Sequence, residues 1–302
     1  MSEPLERPDT VHRPRWRETL SVLLKNRLAA VGLLALLGLV VVAVLAGVLT
    51  RYGINEQDVA NRFAAPSADH WFGTDELGRD IYSRVLMGSR VSLQVGAIAV
   101  GISLIAGTLL GLVSGYRGGW LDAILMRTMD VLFAFPVVLL AIALVAVFGP
   151  SLRNTMIAIG VVFTPIFARV VRGSVLSVRE NLYIRAVRSL GASDLRIVLR
   201  HVLPNVAAPV IVQTSLSLAF AILLEAALSY LGVGVQPPEP AWGLMLSDAQ
   251  RYMEQGWWLS VFPGLAIFVT VMAFNLVGDG LRDALDPQQR SIIESRGVGG
   301  DA

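Results

Sequence analysis

Cysteine is missing altogether, and lysine occurs once, at Lys25. The first absence excludes disulfides, thiol catalysis and zinc–thiolate sites. The second excludes a P-loop, which needs a lysine closing a glycine-rich turn, whereas Lys25 follows Leu23 and Leu24 in a basic stretch. Any work drawn from ATP must therefore enter from another polypeptide. Charge is also sparse, 16% of 302 residues against 54% hydrophobic, and it avoids the long apolar runs where an ion-driven carrier or a membrane enzyme would keep it. Asp130 and Asp279 fall at the ends of such runs. Glu225 is read as an interfacial carboxylate that snorkels to the headgroups or bonds to a neighbour. His12, His70 and His201 lie outside the runs and do not cluster, so no metal site is expected. Neither G-x-S-x-G nor H-E-x-x-H occurs, and no catalytic residues are assigned.

What is present points to an all-α integral membrane protein. Apolar runs near 28–49, 91–115, 130–149, 155–171, 206–231 and 259–278 each approach the roughly 20 residues a helix needs to cross a bilayer. Six transmembrane helices are predicted. Arg13, Arg15, Arg17, Lys25 and Arg27 precede the first run, which is too long for a cleavable signal peptide and reads as an uncleaved anchor. Most of the 25 basic residues fall on the side of the chain termini, so the positive-inside rule puts both termini in the cytoplasm. Arg79, Arg84 and Arg90 approach the second span from the other side and stand against that rule. With a net charge of +2 and its arginines beside the spans, the chain is not expected to bind nucleic acid.

The organisation follows from these runs. Residues 1–27 form a basic cytoplasmic tail, 28–90 the first span and a polar outer segment, 91–282 a five-span unit, and 283–302 a second cytoplasmic tail. Ser103, Gly107, Gly111 and Gly115 recur every fourth residue and align small side chains on one helix face. Packing within the same subunit is favoured for that face over packing against another. Pro136, Pro165 and Pro263 lie inside predicted spans as bends. Gln213, Thr214, Ser215 and Ser217 form a polar patch in the fifth span, suited equally to lining a solute path or to helix–helix hydrogen bonding.

One stretch needs more than orientation to explain it: NLYIRAVRSLGASDLRIVLRHVLPN, residues 181–205. From Glu180 to Leu190 it lacks Gly and Pro and sets Leu182, Ala186 and Leu190 on one face, with Tyr183 and Val187 beside them and Arg185 and Arg188 elsewhere. Gly191 suits the left-handed residue that ends a helix. Ser193 and Asp194 then cap a second helix through Leu203, stopped by Pro204. The stretch resembles the cytoplasmic EAA loop of binding-protein-dependent ABC importers, with Arg185, Ala186 and Val187 at the Glu-Ala-Ala positions. Gly191, Leu203 and Pro204 keep the family's spacing, and Ala192 follows the glycine.

Three further segments resemble permeases of the dipeptide, oligopeptide and nickel importers, above all the C-type subunit: FGTDELGRDIYSRVLMGSRVSL (72–93), VQPPEPAWGLMLSD (235–248) and FPGLAIFVTVMAFNLVGDGLRDALDP (262–287). The resemblance implies the type I ABC importer fold, a core of five helices with one added at the N-terminus, in the bacterial inner membrane. It implies a second permease subunit, two ATPase subunits that hold ATP and Mg, and an extracytoplasmic solute-binding protein. It also implies that residues 180–204 couple the ATPases to the spans. The cargo stays open among dipeptides, longer peptides, glutathione and nickel chelates. A gradient-driven carrier or channel is the alternative from a different class.

Overall fold

The computed structural model describes residues 16–285, so the tails predicted before Trp16 and beyond Leu285 lie outside the described residues. A short helix α1, Trp16–Lys25, leads into α2, Arg27–Leu49, whose cap Asn26 accepts from the backbone N–H groups of Leu28 and Ala29. After a polar segment come α3, Ile81–Arg117; α4, Gly119–Phe133; α5, Val137–Phe148; and α6, Leu152–Arg179. The short helices α7, Leu182–Ser189, and α8, Asp194–Ile197, precede α9, Leu203–Tyr230. The last two are α10, Trp242–Arg251, and α11, Trp258–Leu285.

Among the described residues five helical stretches are long and apolar enough to cross a membrane, and α4 with α5 make a sixth crossing if the pair is one broken span. That break corrects the third predicted span. Pro136 does not bend a continuous helix; it caps α5 at a 94° corner between α4 and α5. Without an N–H, and with its φ fixed, proline suits a helix start better than an interior. Pro165 and Pro263 do lie within α6 and α11. The second span begins at Ile81, so residues 81–90, assigned to a polar outer segment, form the first turns of α3.

α3 and α6 run parallel in close contact because small residues open the seam. A Cβ on Gly107 would lie 2.4 Å from the Cβ of Phe167, and one on Gly111 would lie 2.6 Å from the carbonyl oxygen of Ala168. Gly115 meets Val175 in the same way, and Gly160 of α6 meets Ile102 and Ala99. Ser103 is fully buried on this face, its hydroxyl donating to the Val100 carbonyl. The four-residue stripe therefore faces a helix of its own chain. α9 runs antiparallel to α3, and α2 packs against α11 where Gly32 and Gly280 admit Ala273 and Ala29.

Of the two roles expected of Glu225, the structure shows the bond to a neighbour: it is fully buried between α9 and α3, accepting from Ser229 at 2.7 Å and from Ser92 at 3.4 Å. A carboxylate removed from water needs such donors.

The arginines before the second span are not free cations. Arg79 donates to Asp75 at 2.6 Å and to Glu76 at 2.7 Å, and Arg84 lies 3.8 Å from Asp75 while donating to the carbonyl of Ile54. Arg90 reaches the carbonyls of Ala43 and Val44 at the end of α2. Asp248 of α10 lines the same small cavity as this cluster. Burial pushes the carboxyls of Glu76 and Asp248 above their ordinary values of 4.5 and 3.8. The folded state therefore holds their protons more tightly than the unfolded chain. The stability they contribute is present below the ordinary values and is lost as pH rises through the raised ones. In detergent, Asp248→Asn is expected to flatten that fall in melting temperature; an unchanged pH profile would count against the assignment.

Candidate coupling surface and polar path residues

The corner at Gly191 is built from backbone outward. Gly191 has φ +83°, a left-handed conformation in which other residues are strained. Its N–H donates to the Arg188 carbonyl at 3.0 Å, and the N–H of Ala192 donates to Val187 at 3.3 Å. This pair of bonds is the Schellman closure of a helix. α7 thus ends as the sequence predicts. At its other end Glu180 caps α6, and its carboxylate, held below the usual range chiefly by Arg185 and then Arg179, lies 3.0 and 3.3 Å from them.

α8 does not stop at Pro204. The chain passes through one wide π-helical turn, Val198–Val202, straight into α9, so that Asp194–Tyr230 is one helical stretch of 37 residues. Pro204 cannot donate to the carbonyl four residues back, and its ring crowds that carbonyl. Widening the turn, with the Leu203 N–H donating to Val198, relieves the clash without ending the helix.

α7 carries two apolar stripes. Ile184 is buried with Val175, Ile197, Val202 and Val206, and Tyr183 and Val187 pack beside it. Leu182, Ala186 and Leu190 lie on another face and are exposed, the two leucines at 80% and 88%. Leu195 of α8 is exposed beside Arg196. Helical periodicity picks out the exposed stripe, whereas the buried anchor Ile184, spaced with Tyr183 and Val187 on one face, was not among the expected contacts.

Tyr116 is a further functional residue with no signal of its own in the sequence. Its hydroxyl donates to Asp194 at 2.7 Å and accepts from Arg188 at 3.0 Å, so the far end of α3 holds both α7 and α8. Arg179 adds a bond to the Gly115 carbonyl at 2.7 Å. Asn205 of α9 donates to the Tyr183 hydroxyl at 3.2 Å. These contacts join the corner rigidly to α3, α6 and α9.

The polar patch of the fifth span divides. Ser215 is buried and donates to the Phe274 carbonyl of α11, which is a helix–helix bond. Gln213 donates to Ser217, itself buried, and Thr214 donates to the Val210 carbonyl one turn back. No His, Asp or Glu cluster that could hold a metal occurs among the described residues.

The sequence profile described as "Binding-protein-dependent transport system inner membrane component" matches residues 107–291, which include the corner, its anchors and both partners of the α3–α6 seam from Gly107 on. The chain belongs to this family. A second profile, "N-terminal TM domain of oligopeptide transport permease C", matches residues 14–66. Among curated relatives, the dipeptide transport system permease protein DppC of Alkalihalophilus pseudofirmus is 49% identical, over 96% of this chain and 95% of its own. The glutathione transport system permease protein GsiD of Pectobacterium atrosepticum is 45% identical, over 95% of this chain and 96% of its own. A chain of the MetNI methionine ABC transporter, solved in inward-facing conformations, superimposes with a TM-score of 0.57. It covers 67% of this chain and 96% of that one at 16% identity, a likeness of fold alone. The chain is a multi-pass membrane protein, a permease subunit of an ABC importer, a class that works with ATPase and binding-protein partners.

Proposed function

We propose that this permease subunit imports short peptides, with α7 and the Gly191 corner seated on a separate ATPase subunit. The observation that carries the reading is the second apolar stripe of α7. Leu182, Ala186 and Leu190 lie exposed on a helix whose other face is already anchored, and Arg185 stands beside them. An exposed apolar patch rimmed by cations is the surface of a docking site. The arginine-rich corner then lies in the cytoplasm with both termini, in the bacterial inner membrane. The excess of basic residues on the side of the termini supports that orientation.

A second, related permease subunit completes the solute path, two ATPase subunits hold ATP and Mg, and an extracytoplasmic binding protein delivers cargo. ATP closes the ATPases around the corner. The difference in their nucleotide affinity between inward-open and outward-open states drives the change. Tyr116, Arg179 and the unbroken α8–α9 stretch pass the movement to α3, α6 and α9. Short peptides are favoured as cargo because the two relatives just described, a dipeptide and a glutathione permease, are both named for peptide cargo.

The test is reconstitution. The four-component assembly in proteoliposomes is expected to accumulate labelled dipeptide only with ATP and binding protein. Accumulation by this subunit alone under a proton or sodium gradient would overturn the reading in favour of a carrier.

A further inference from the structure

Asp130 and Arg169 form an ion pair in an unusual place. Arg169 donates to Asp130 at 2.7 Å, and its guanidinium sits 4.0 Å from the ring centre of Phe133. The two side chains remain 46% and 50% exposed. Around them Val131, Phe133 and Phe135 are exposed, and one turn back on α4 Arg127 and Thr128 are exposed too. Depth can be read along α6, where Arg153 is exposed at the start of the helix. Arg169 lies 16 residues further on, or about 24 Å at 1.5 Å per residue, which leaves it about 6 Å inside the far edge of a hydrocarbon core about 30 Å thick.

Exposed charge at that depth cannot face lipid tails cheaply. The arginine does not stretch towards the headgroups: it folds back onto Asp130 and Phe133. One hydrogen bond leaves a carboxylate oxygen and most guanidinium donors free for other partners. Both charges are therefore partly satisfied and accessible at membrane depth, with opposite signs side by side.

Resting on the peptide-import reading above, we infer that the Asp130–Arg169 pair faces the water-filled solute path and exchanges its mutual bond for the α-ammonium and α-carboxylate of a zwitterionic peptide. Each charged end meets its complement in turn, so a peptide with free termini passes without being stripped of all its polar partners. The exchange is reversible because the pair re-forms behind the solute.

The absence of cysteine makes a direct test possible. Gly173, one turn beyond Arg169, has open space where a Cβ would be added. Gly173→Cys is therefore a reporter that leaves packing intact. In the complete, nucleotide-free assembly with cysteine-free partners, this thiol is expected to react with both anionic and cationic methanethiosulfonate reagents. Arg169→Gln should lower the anion-to-cation rate ratio and Asp130→Asn should raise it, each by about threefold or more. An exposed pair adds little to stability, so these variants should fold. A dipeptide with free termini should slow labelling; its N-acetyl amide should not.

A thiol that reacts in the isolated subunit but not in the assembly would mean that the second subunit covers the pair, and would overturn the inference. So would a thiol inert in both, which faces lipid, or rate ratios that neither variant changes. Equal protection by free and blocked peptides would sink it too. A wild-type assembly that accumulates no peptide would overturn the peptide reading and the solute half of this inference with it. Uptake that persists with unaltered labelling ratios would overturn the inference alone.

Discussion

Uptake is expected to fall about 30-fold or more when Leu182 and Leu190 are both replaced by aspartate, while the subunit still inserts and keeps its helices. Both leucines are largely exposed, so the folded chain loses little by the change. The loss is expected in partner binding, where buried apolar anchors each contribute about 2 kcal/mol or more and 1.4 kcal/mol is tenfold. Co-purification with the ATPase subunits and uptake in proteoliposomes measure it. Ile184→Asp distinguishes docking from architecture: it places a charge in the apolar cluster beneath the corner and should reduce folded yield as well. Gly191→Pro removes the N–H that closes α7 and demands φ near −65° where the chain holds +83°. It should uncouple ATP hydrolysis from uptake. Normal transport by the double aspartate variant with an intact ATPase would place the docking surface elsewhere.

The second large effect is expected in the seam between α3 and α6. Gly111→Leu drives a side chain into the backbone of the facing helix, since even a Cβ there lies 2.6 Å from the Ala168 oxygen and 3.0 Å from the Arg172 nitrogen. Backbone cannot rotate aside as a side chain can, so the helices must separate. Overpacking of this kind costs about 1–3 kcal/mol where neighbours can adjust, and more where they cannot. Gly111→Leu should lose most of the folded population in detergent. Gly101→Ala, on the same helix with open space around it, should melt at or above the wild-type temperature. Equal losses in the two variants would show that glycine matters in α3 for a reason other than close approach.

Much of this architecture is legible in the residues. Length and apolarity locate five of the spans, because a bilayer leaves no cheaper way to satisfy backbone hydrogen bonds than an uninterrupted helix. The Gly191 corner is legible because a left-handed residue selects glycine locally. The α4–α5 corner is not, since an apolar run carries no direction and Pro136 can bend a helix or start one. Pro204 is ambiguous for the same reason: whether a helix ends there or widens by a turn depends on how Val202 and Val206 pack with Val171, Val175 and Ile184, which are distant in sequence. For Glu225 the sequence leaves snorkelling and bonding to a neighbour both open, because the hydroxyl that meets it across the helices belongs to Ser92, 133 residues earlier in the chain. At the coupling surface, the exposed stripe could be read from periodicity, whereas Tyr116 could not be linked to Asp194 and Arg188 without the fold that joins them.

The wide turn before Pro204 also sets the geometry of a lever. Since α8 continues into α9, Leu195 and Tyr230 are points on one beam, and Ser215, bonded to the backbone of α11, is a natural fulcrum between them. The arm from Leu195 to Ser215 spans roughly 30 Å and the arm from Ser215 to Tyr230 roughly 22 Å at 1.5 Å per residue. A push at the short helix would swing the opposite tip about three-quarters as far in the reverse sense, so that one end of the bundle narrows as the other spreads.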